Sequence, residues 1–253
     1  MIDIHSHILY GMDDGARTLE ESVSMARMAA QHGTSIIVGT PHANLMYKFD
    51  PPTIAARRAE IEAACDGAVS IQTGSDFHLT YDNIQDAIEH PNKYCVGHKC
   101  YLLVEFSDLL IFKNMSEIFT RLQDAGMVPI ITHPERNQLL QMRLPSIEEW
   151  VASGVLLQVT GQSLLGEFGK RAREFSETLL AKDIVHFIAS DAHDTQRRPP
   201  RLDQAYAWIE KKYGVARAQR LFVHNPRACV EGVPLPVPEP ETKPAKKFLG
   251  IFG

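Results

Sequence analysis

His5 and His7 stand two residues apart in the opening stretch MIDIHSHILYGMDDG, where Ile2 and Ile4 alternate with Asp3 and His5. In an extended strand such a pair projects from one face, about 6.5–7 Å apart along the backbone. Two imidazoles so placed can close on one metal ion; the alternative is a solvated strand with two surface histidines. Farther along, His42, Asp76, Glu105, His133, Asp191 and His193 each fall at or just beyond the end of a short apolar run. Histidines mixed with carboxylates, and no thiolate, suit manganese, iron or zinc more than copper or magnesium. The set exceeds what one ion needs, so two or three divalent ions are expected, with a carboxylate bridging. Clustered metals activate water and clamp the oxygens of a phosphoryl or acyl group. Arg136, three residues after His133, and Arg198, five after His193, lie on the same loops. A guanidinium fork matches phosphate oxygens bidentately. The combination favours phosphate-ester hydrolysis over amide hydrolysis.

Positioning these side chains requires a regular scaffold, and the pattern supplies one. Thr18 with Glu21 forms a capping box for a helix that stops at Gly33. SIIVGT is a buried-type strand, and a helix from about Pro52 to Cys65 follows. VSIQTGSDFHL, CYLLVEFS, MVPIITHPERN, GVLLQVTG and IVHFIASDAHD continue the strands. Between them lie a looser region from Tyr81 to Lys99, the amphipathic MSEIFTRLQDAG, a helix capped by Ser146 with Glu149, and a helical span from Gln162 to Lys182. Two more helical stretches, Leu202–Tyr213 and Ala216–Phe222, end the pattern. Seven apolar strands alternating with helices predict a parallel sheet. The polar residues fall at the C-terminal ends of six different strands. In a barrel those ends converge on one face, whereas in an open sheet they spread along an edge. The reading is therefore an α/β fold closed as a barrel.

The 253-residue chain carries a formal charge of −5, which argues against nucleic acid as the main partner. No segment reaches the apolar length of a membrane span and no leader precedes the first strand, so a cytoplasmic protein is expected. Cys65, Cys95, Cys100 and Cys229 form no CxxC and read as reduced thiols. None has an arginine six positions downstream, so a cysteinyl-phosphate mechanism is disfavoured. After Gly232, VPLPVPEPETKPAKK reads as a proline-rich linker and FLGIFG as an apolar tail. The domain reading is thus a barrel over residues 1–232 and a tail over 233–253, with the tail a candidate for partner docking, subunit assembly or weak membrane contact.

HSH near the N-terminus, a histidine after the second strand, THPER and SDAH resemble the polymerase and histidinol phosphatase (PHP) superfamily. MIDIHSHILYGMDDGA, LVEFS, THPERN, IASDAHD, RRPP and LFVHNPR resemble, in order and spacing, its bacterial metal-dependent protein-tyrosine phosphatases of capsule and exopolysaccharide operons. The resemblance spans Met1 to about Val230. It implies a distorted seven-stranded β/α (TIM-like, PHP) barrel with a trinuclear, usually manganese-containing, centre. Carried over by position, it implies that His5, His7 and Asp191 bind one ion and Glu105 and His133 a second. Asp14, His42 and His193 would hold the third, Asp76 would bridge the first two, and Arg136 and Arg198 would grip the phosphate. The partner it implies is the phosphotyrosine tail of a bacterial tyrosine kinase of polysaccharide export. The rival readings are a histidinol-phosphate-type small-molecule phosphatase and a non-catalytic metal-binding module. One departure is that family members carry glutamate where Asp76 stands, so for the shorter side chain to bridge, its strand end must sit farther in or a water must fill the gap.

Further positions are read as follows. His78 is a further ligand or a loop histidine at the mouth. Asp13 is a turn residue that positions Asp14. Glu135 either supports the site from behind or is solvated. Tyr47 and Phe49 form an aromatic lip for a substrate ring or pack under their loop.

Overall fold

The computed structural model describes residues 1–236; the linker and tail reading for 237–253 lies outside the described residues. The strands are β1 (Ile2–Ser6), β2 (Ile36–Gly39), β3 (His42–Ala43), β4 (Ser70–Thr73), β5 (Asp76–His78), β6 (Tyr101–Glu105), β7 (Val128–Thr132), β8 (Leu156–Thr160) and β9 (Phe187–Ala189). All pair in parallel, in a three-stranded sheet ordered β1-β2-β4 and a six-stranded sheet ordered β3-β5-β6-β7-β8-β9.

The expected seven strands are nine because two of them break. Thr40-Pro41 separates β2 from β3, and Pro41 has no N–H for a ladder. Gly74-Ser75 separates β4 from β5, and a Cβ on Gly74 would stand 3.2 Å from the Val96 backbone. Asp76 N donating to Pro41 O at 3.1 Å re-forms the pairing beyond both breaks. At the other edge, β9 returns to β1: Asp191 N donates to His5 O at 2.9 Å and His7 N to Ala192 O at 2.7 Å. A buried carboxylate clamps the same seam, since Asp3 accepts from Ser190 N at 3.0 Å and Ser190 Oγ at 2.5 Å.

The helices that follow β1, β3, β5 and β6 are, in turn, α1 (Leu19–Gln31), α2 (Pro51–Ala64), α3 (Tyr81–Glu89) and α4 (Met115–Asp124). Thr18 caps α1 as expected, accepting from Glu21 N at 3.3 Å. Short α5 (Gln138–Gln141) precedes α6 (Leu144–Ala152). The latter starts before the expected Ser146 cap, because Pro145 occupies its first turn, where a missing N–H costs nothing. The span predicted as one helix is two, α7 (Gly161–Leu165) and α8 (Lys170–Ala181), parted at Gly166 and Gly169, both with positive φ. Then come α9 (Asp203–Tyr213), α10 (Val215–Gln219), a π turn over Arg220–His224 and α11 (Asn225–Glu231). None of the described helices is long and apolar enough to cross a membrane. One apolar cluster, including Ile4, Val38, Leu103, Ile130 and Phe187, draws on strands of both sheets. Two larger clusters, one with Phe77, Leu157 and Leu179 and the other with Ile37, Ile71 and Met25, pack helices against the strands.

His186, just before β9, accepts from Leu157 N at 3.1 Å through Nδ1, so its imidazole is neutral. Burial, aided by Arg220, pushes its pKa down from 6.5 to about 4. The unfolded chain therefore binds this proton first. The stabilisation is complete above the unfolded value of 6.5 and is lost as pH falls towards 4, in total roughly 3 kcal/mol. His186→Asn, whose Oδ1 can replace the acceptor, should flatten the fall of Tm between pH 6.5 and 4.5. Parallel pH profiles for variant and wild type would contradict this.

Candidate metal centre

The candidate residues meet at the C-terminal ends of the strands. His5 belongs to β1 where its register against β2 slips, between Asp3 and Ser6; such irregularities re-aim side chains beside active sites. His7 follows directly. Their Nε2 atoms stand 3.4 Å apart, and Asp191 Oδ1 lies 3.4 Å from His5 Nε2 and 3.2 Å from His7 Nε2. The outer nitrogens are committed elsewhere: His5 Nδ1 donates to Gln158 Oε1 at 2.9 Å and His7 Nδ1 to Asp13 Oδ2 at 2.7 Å. Oxygens that only accept fix both tautomers and leave each Nε2 facing the centre.

Asp14, His42 and His193 form a second group. Asp14 Oδ1 is 3.4 Å from His42 Nε2 and 3.4 Å from His193 Nε2. The other nitrogen of His42 faces Asp76 Oδ2 at 3.3 Å and Glu105 Oε2 at 3.4 Å. Asp76 Oδ2 also lies 3.6 Å from His5 Nε2, so the short carboxylate reaches towards two groups of donors. It can do so because it opens β5 directly opposite His42 in register. His133 is the more distant member, its Nε2 3.8 Å from Glu105 Oε1. Four sets of donor atoms each converge within 4.8 Å: His7, Asp14, His42 and His193; His5, His7 and Asp76; His5, His133 and Asp191; His42, Asp76 and Glu105.

Local backbone conformation serves the same end. His133 and Asp191 both have positive φ, 31° and 51°, at the points where β7 and β9 turn into loops. Non-glycine residues held there store strain, which the packing around them must over-determine. Gly15 is required by close approach: a Cβ would stand 2.1 Å from His7 O.

Charges in the cluster are strongly coupled. Burial works against ionising Asp191, but His5, Arg136, His7 and Arg198 outweigh it and hold the carboxyl well below its usual range. Burial likewise opposes a charge on His7, yet Asp13 and Asp191 push its pKa up to about 9. His133 goes the other way, down to about 4, through burial and the neighbouring Arg136.

Arg136 Nη1 and Arg198 Nη2 both donate to Asp191 Oδ2. Both guanidinium groups also lie over the Phe168 ring, at 4.4 and 5.9 Å. The sequence placed the two arginines on site loops and missed Phe168. Gln158 was missed as a support, a lone amide inside the apolar run LLQVT being the available signal, and Asp13, which accepts from Gly15 N at 3.0 Å in the expected turn, was missed as the partner of His7. For the second there was only a choice within Asp13-Asp14, and Asp13 is the wholly buried one, also accepting from His42 N at 3.0 Å. Glu135 faces away, accepting from Thr160 N at 2.9 Å and Ser163 Oγ at 2.7 Å. His78 Nδ1 is 3.5 Å from Glu105 Oε2, at the edge of the cluster. Of the expected lip, Tyr47 stacks beside His42 with ring centroids 5.8 Å apart, whereas Phe49 packs on Tyr94 at 4.8 Å. The cysteines lie elsewhere, and burial pushes the Cys95 thiol up to about 12 and Cys229 well above its ordinary value.

Comparison with known proteins fits this geometry. The chain is 29% identical over 256 residues to the tyrosine-protein phosphatase YwqE of Bacillus subtilis, with both chains covered in full. It is 31% identical over 241 residues to the tyrosine-protein phosphatase CpsB of Streptococcus pneumoniae, covering 91% of this chain and 98% of the relative. A solved structure from work on YwqE of B. subtilis and CpsB of S. pneumoniae, described as unique metal-dependent tyrosine phosphatases, superposes with a TM-score of 0.86 at 30% identity, covering 93% of this chain and 96% of that one. Residues 1–231 match the family described as capsular polysaccharide synthesis, CpsB/CapC, and the chain belongs to that family.

Proposed function

We propose that this chain is a metal-dependent protein-tyrosine phosphatase acting on the phosphotyrosine tail of a bacterial tyrosine kinase of polysaccharide synthesis. The observation that carries the reading is the meeting of His5 Nε2, His7 Nε2 and Asp191 Oδ1 within 3.2–3.4 Å of one another. With both outer nitrogens donating elsewhere, the two Nε2 atoms and the carboxylate oxygen are turned on one another, a place where a divalent ion would replace the imidazole protons. Asp76 Oδ2 and His42 Nδ1 are likewise buried without a hydrogen-bond partner. The donor set fits two or three divalent ions, manganese first and iron or zinc as alternatives.

In this reading His5, His7 and Asp191 hold one ion, Glu105 and His133 a second, and Asp14, His42 and His193 a third, with Asp76 shared between the first two. When bound, such ions supply a nucleophile from water at neutral pH and electrophilic stabilisation of phosphate oxygens. Asp13 and Gln158 keep the two β1 imidazoles aimed inward. Arg136 and Arg198, gathered by Asp191 and backed by Phe168, grip the phosphate. In this reading residues 1–232 form a distorted seven-stave PHP barrel, with β2 and β3, and β4 and β5, each counting as one stave; the backbone bonds from β9 back to β1 support it. The four free cysteines support a reducing, cytoplasmic setting.

Tyr47 would flank the substrate ring. Tyr47→Ala should raise KM for aryl phosphates severalfold with kcat little changed, the pattern of lost uniform binding; a fall confined to kcat would exclude the contact. The functional reading itself is tested by assaying metal-loaded protein on a phosphotyrosine peptide and on histidinol phosphate side by side. Preference for the peptide is expected. Preference for histidinol phosphate would make this a small-molecule phosphatase, and metal binding without hydrolysis of either would make it a non-catalytic module.

A further inference from the structure

Eight large apolar side chains are exposed among the described residues, and five of them lie on segments that follow three adjacent strands. Leu45 and Met46 follow β3, Tyr81 follows β5, and Leu109 and Leu110 follow β6, three strands that are neighbours in the sheet. Large apolar surface grouped in this way marks an interaction site. The loops after β5 and β6 also line a cleft of about 270 Å³, whose walls include Leu79, Phe106, Leu110 and Met115 and whose polar lining includes His78, Thr80 and Ser107. Apart from His78, no titratable side chain but the Tyr81 phenol lines it.

We propose that this cleft is a subsite for an apolar side chain of the substrate polypeptide, one to three residues from the phosphotyrosine. The proposal rests on the phosphatase reading above. What selects this occupant is the cleft's continuity with the centre. His78 and Glu105 are partners in the ladder, and His78 Nδ1 lies 3.5 Å from Glu105 Oε2. The next residues on the two strands, Leu79 and Phe106, are already cleft walls. A chain whose phosphate sits at the centre therefore passes the cleft within a few residues, since an extended peptide advances about 3.3 Å per residue. A charged side chain entering there would lose water against mainly apolar walls, with only neutral hydroxyls and the His78 ring to offset the loss. A second copy of this chain could cover the exposed leucines, but nothing would require it to place a group beside Glu105.

The test uses metal-loaded full-length protein and phosphotyrosine peptides that differ only in carrying leucine, serine or glutamate at single positions from −3 to +3. At one or more positions leucine should raise kcat/KM roughly tenfold over serine, the effect of burying one apolar side chain. The gain should lie in KM, and should reappear as tighter binding of the matching peptides carrying a non-hydrolysable phosphonate. Leu110→Asp, at the rim, should reduce the leucine preference to within twofold while leaving hydrolysis of p-nitrophenyl phosphate unchanged; Leu110→Ala should reduce it partly. Cleavage of all peptides within twofold by the wild type would overturn the proposal, as would a preference that survives Leu110→Asp. A change of oligomeric mass in Leu110→Asp with the preference intact would overturn it in favour of contact between copies. Failure of the parent reading looks different: metal-loaded wild type would hydrolyse neither the peptides nor p-nitrophenyl phosphate, and the subsite would fall with it.

Discussion

Replacing Asp191 with asparagine should lower phosphotyrosine hydrolysis by roughly a thousandfold, the scale of losing a preorganised charged group at a reacting centre. This carboxylate stands where four positive or metal-seeking groups meet: His5 and His7 through Oδ1, Arg136 and Arg198 through Oδ2. An amide keeps the shape and removes the charge that gathers them. Bound metal should fall at the same time, because one donor is lost and the two guanidinium groups are left facing the site without a counter-ion. Metal-free protein should also be less stable, since breaking a buried ion pair by removing one partner costs about 3 kcal/mol or more. Elemental analysis, kinetics and thermal unfolding of one variant would report all three effects. Retention of full metal content and activity would remove Asp191 from the centre.

The arginines give the second large effect, with a different signature. Arg136→Ala and Arg198→Ala should each slow turnover by roughly a hundredfold while leaving metal content near that of wild type. Lysine at either position should recover only part of the rate, because it keeps the charge and loses the planar fork. Both guanidinium groups contact Asp191, so a competing outcome exists: if either alanine variant loses metal in proportion to activity, that arginine acts by positioning the carboxylate and not on phosphate.

Much of this arrangement was legible because it depends on patterns that a chain displays locally. Apolar runs ending in His42, Glu105, His133 and Asp191 mark strand ends, and parallel strands with intervening helices bring such ends to one face. What escaped depends on partners distant in sequence. Gln158 looks like any polar residue in a strand until its Oε1 is seen to meet His5 Nδ1 of β1, on the far side of β9. Asp13 and Asp14 are chemically identical, and only the Gly15 turn against His7 decides which is buried behind the imidazole and which faces His42 and His193. Glu135 sits between His133 and Arg136, yet the backbone turn after His133 sends its side chain towards β8. Phe49 is two residues from Tyr47 and packs on Tyr94, an aromatic contact across 45 residues that no local spacing announces. The breaks at Pro41 and Gly74 were visible as residues; that they split two strands while preserving the register of His42 against Asp76 was not.

Catalysis belongs, in this reading, to the cluster of imidazoles and carboxylates and not to a thiol. The decisive measurement follows phosphotyrosine-peptide hydrolysis and metal content together through chelation and re-addition of manganese. Wild type and a variant with alanine at Cys65, Cys95, Cys100 and Cys229 should be compared. Activity in both proteins should disappear with the metal and return with it, the variant turning over at close to the wild-type rate. Hydrolysis that survives complete removal of metal and is abolished by the cysteine replacements would contradict the account.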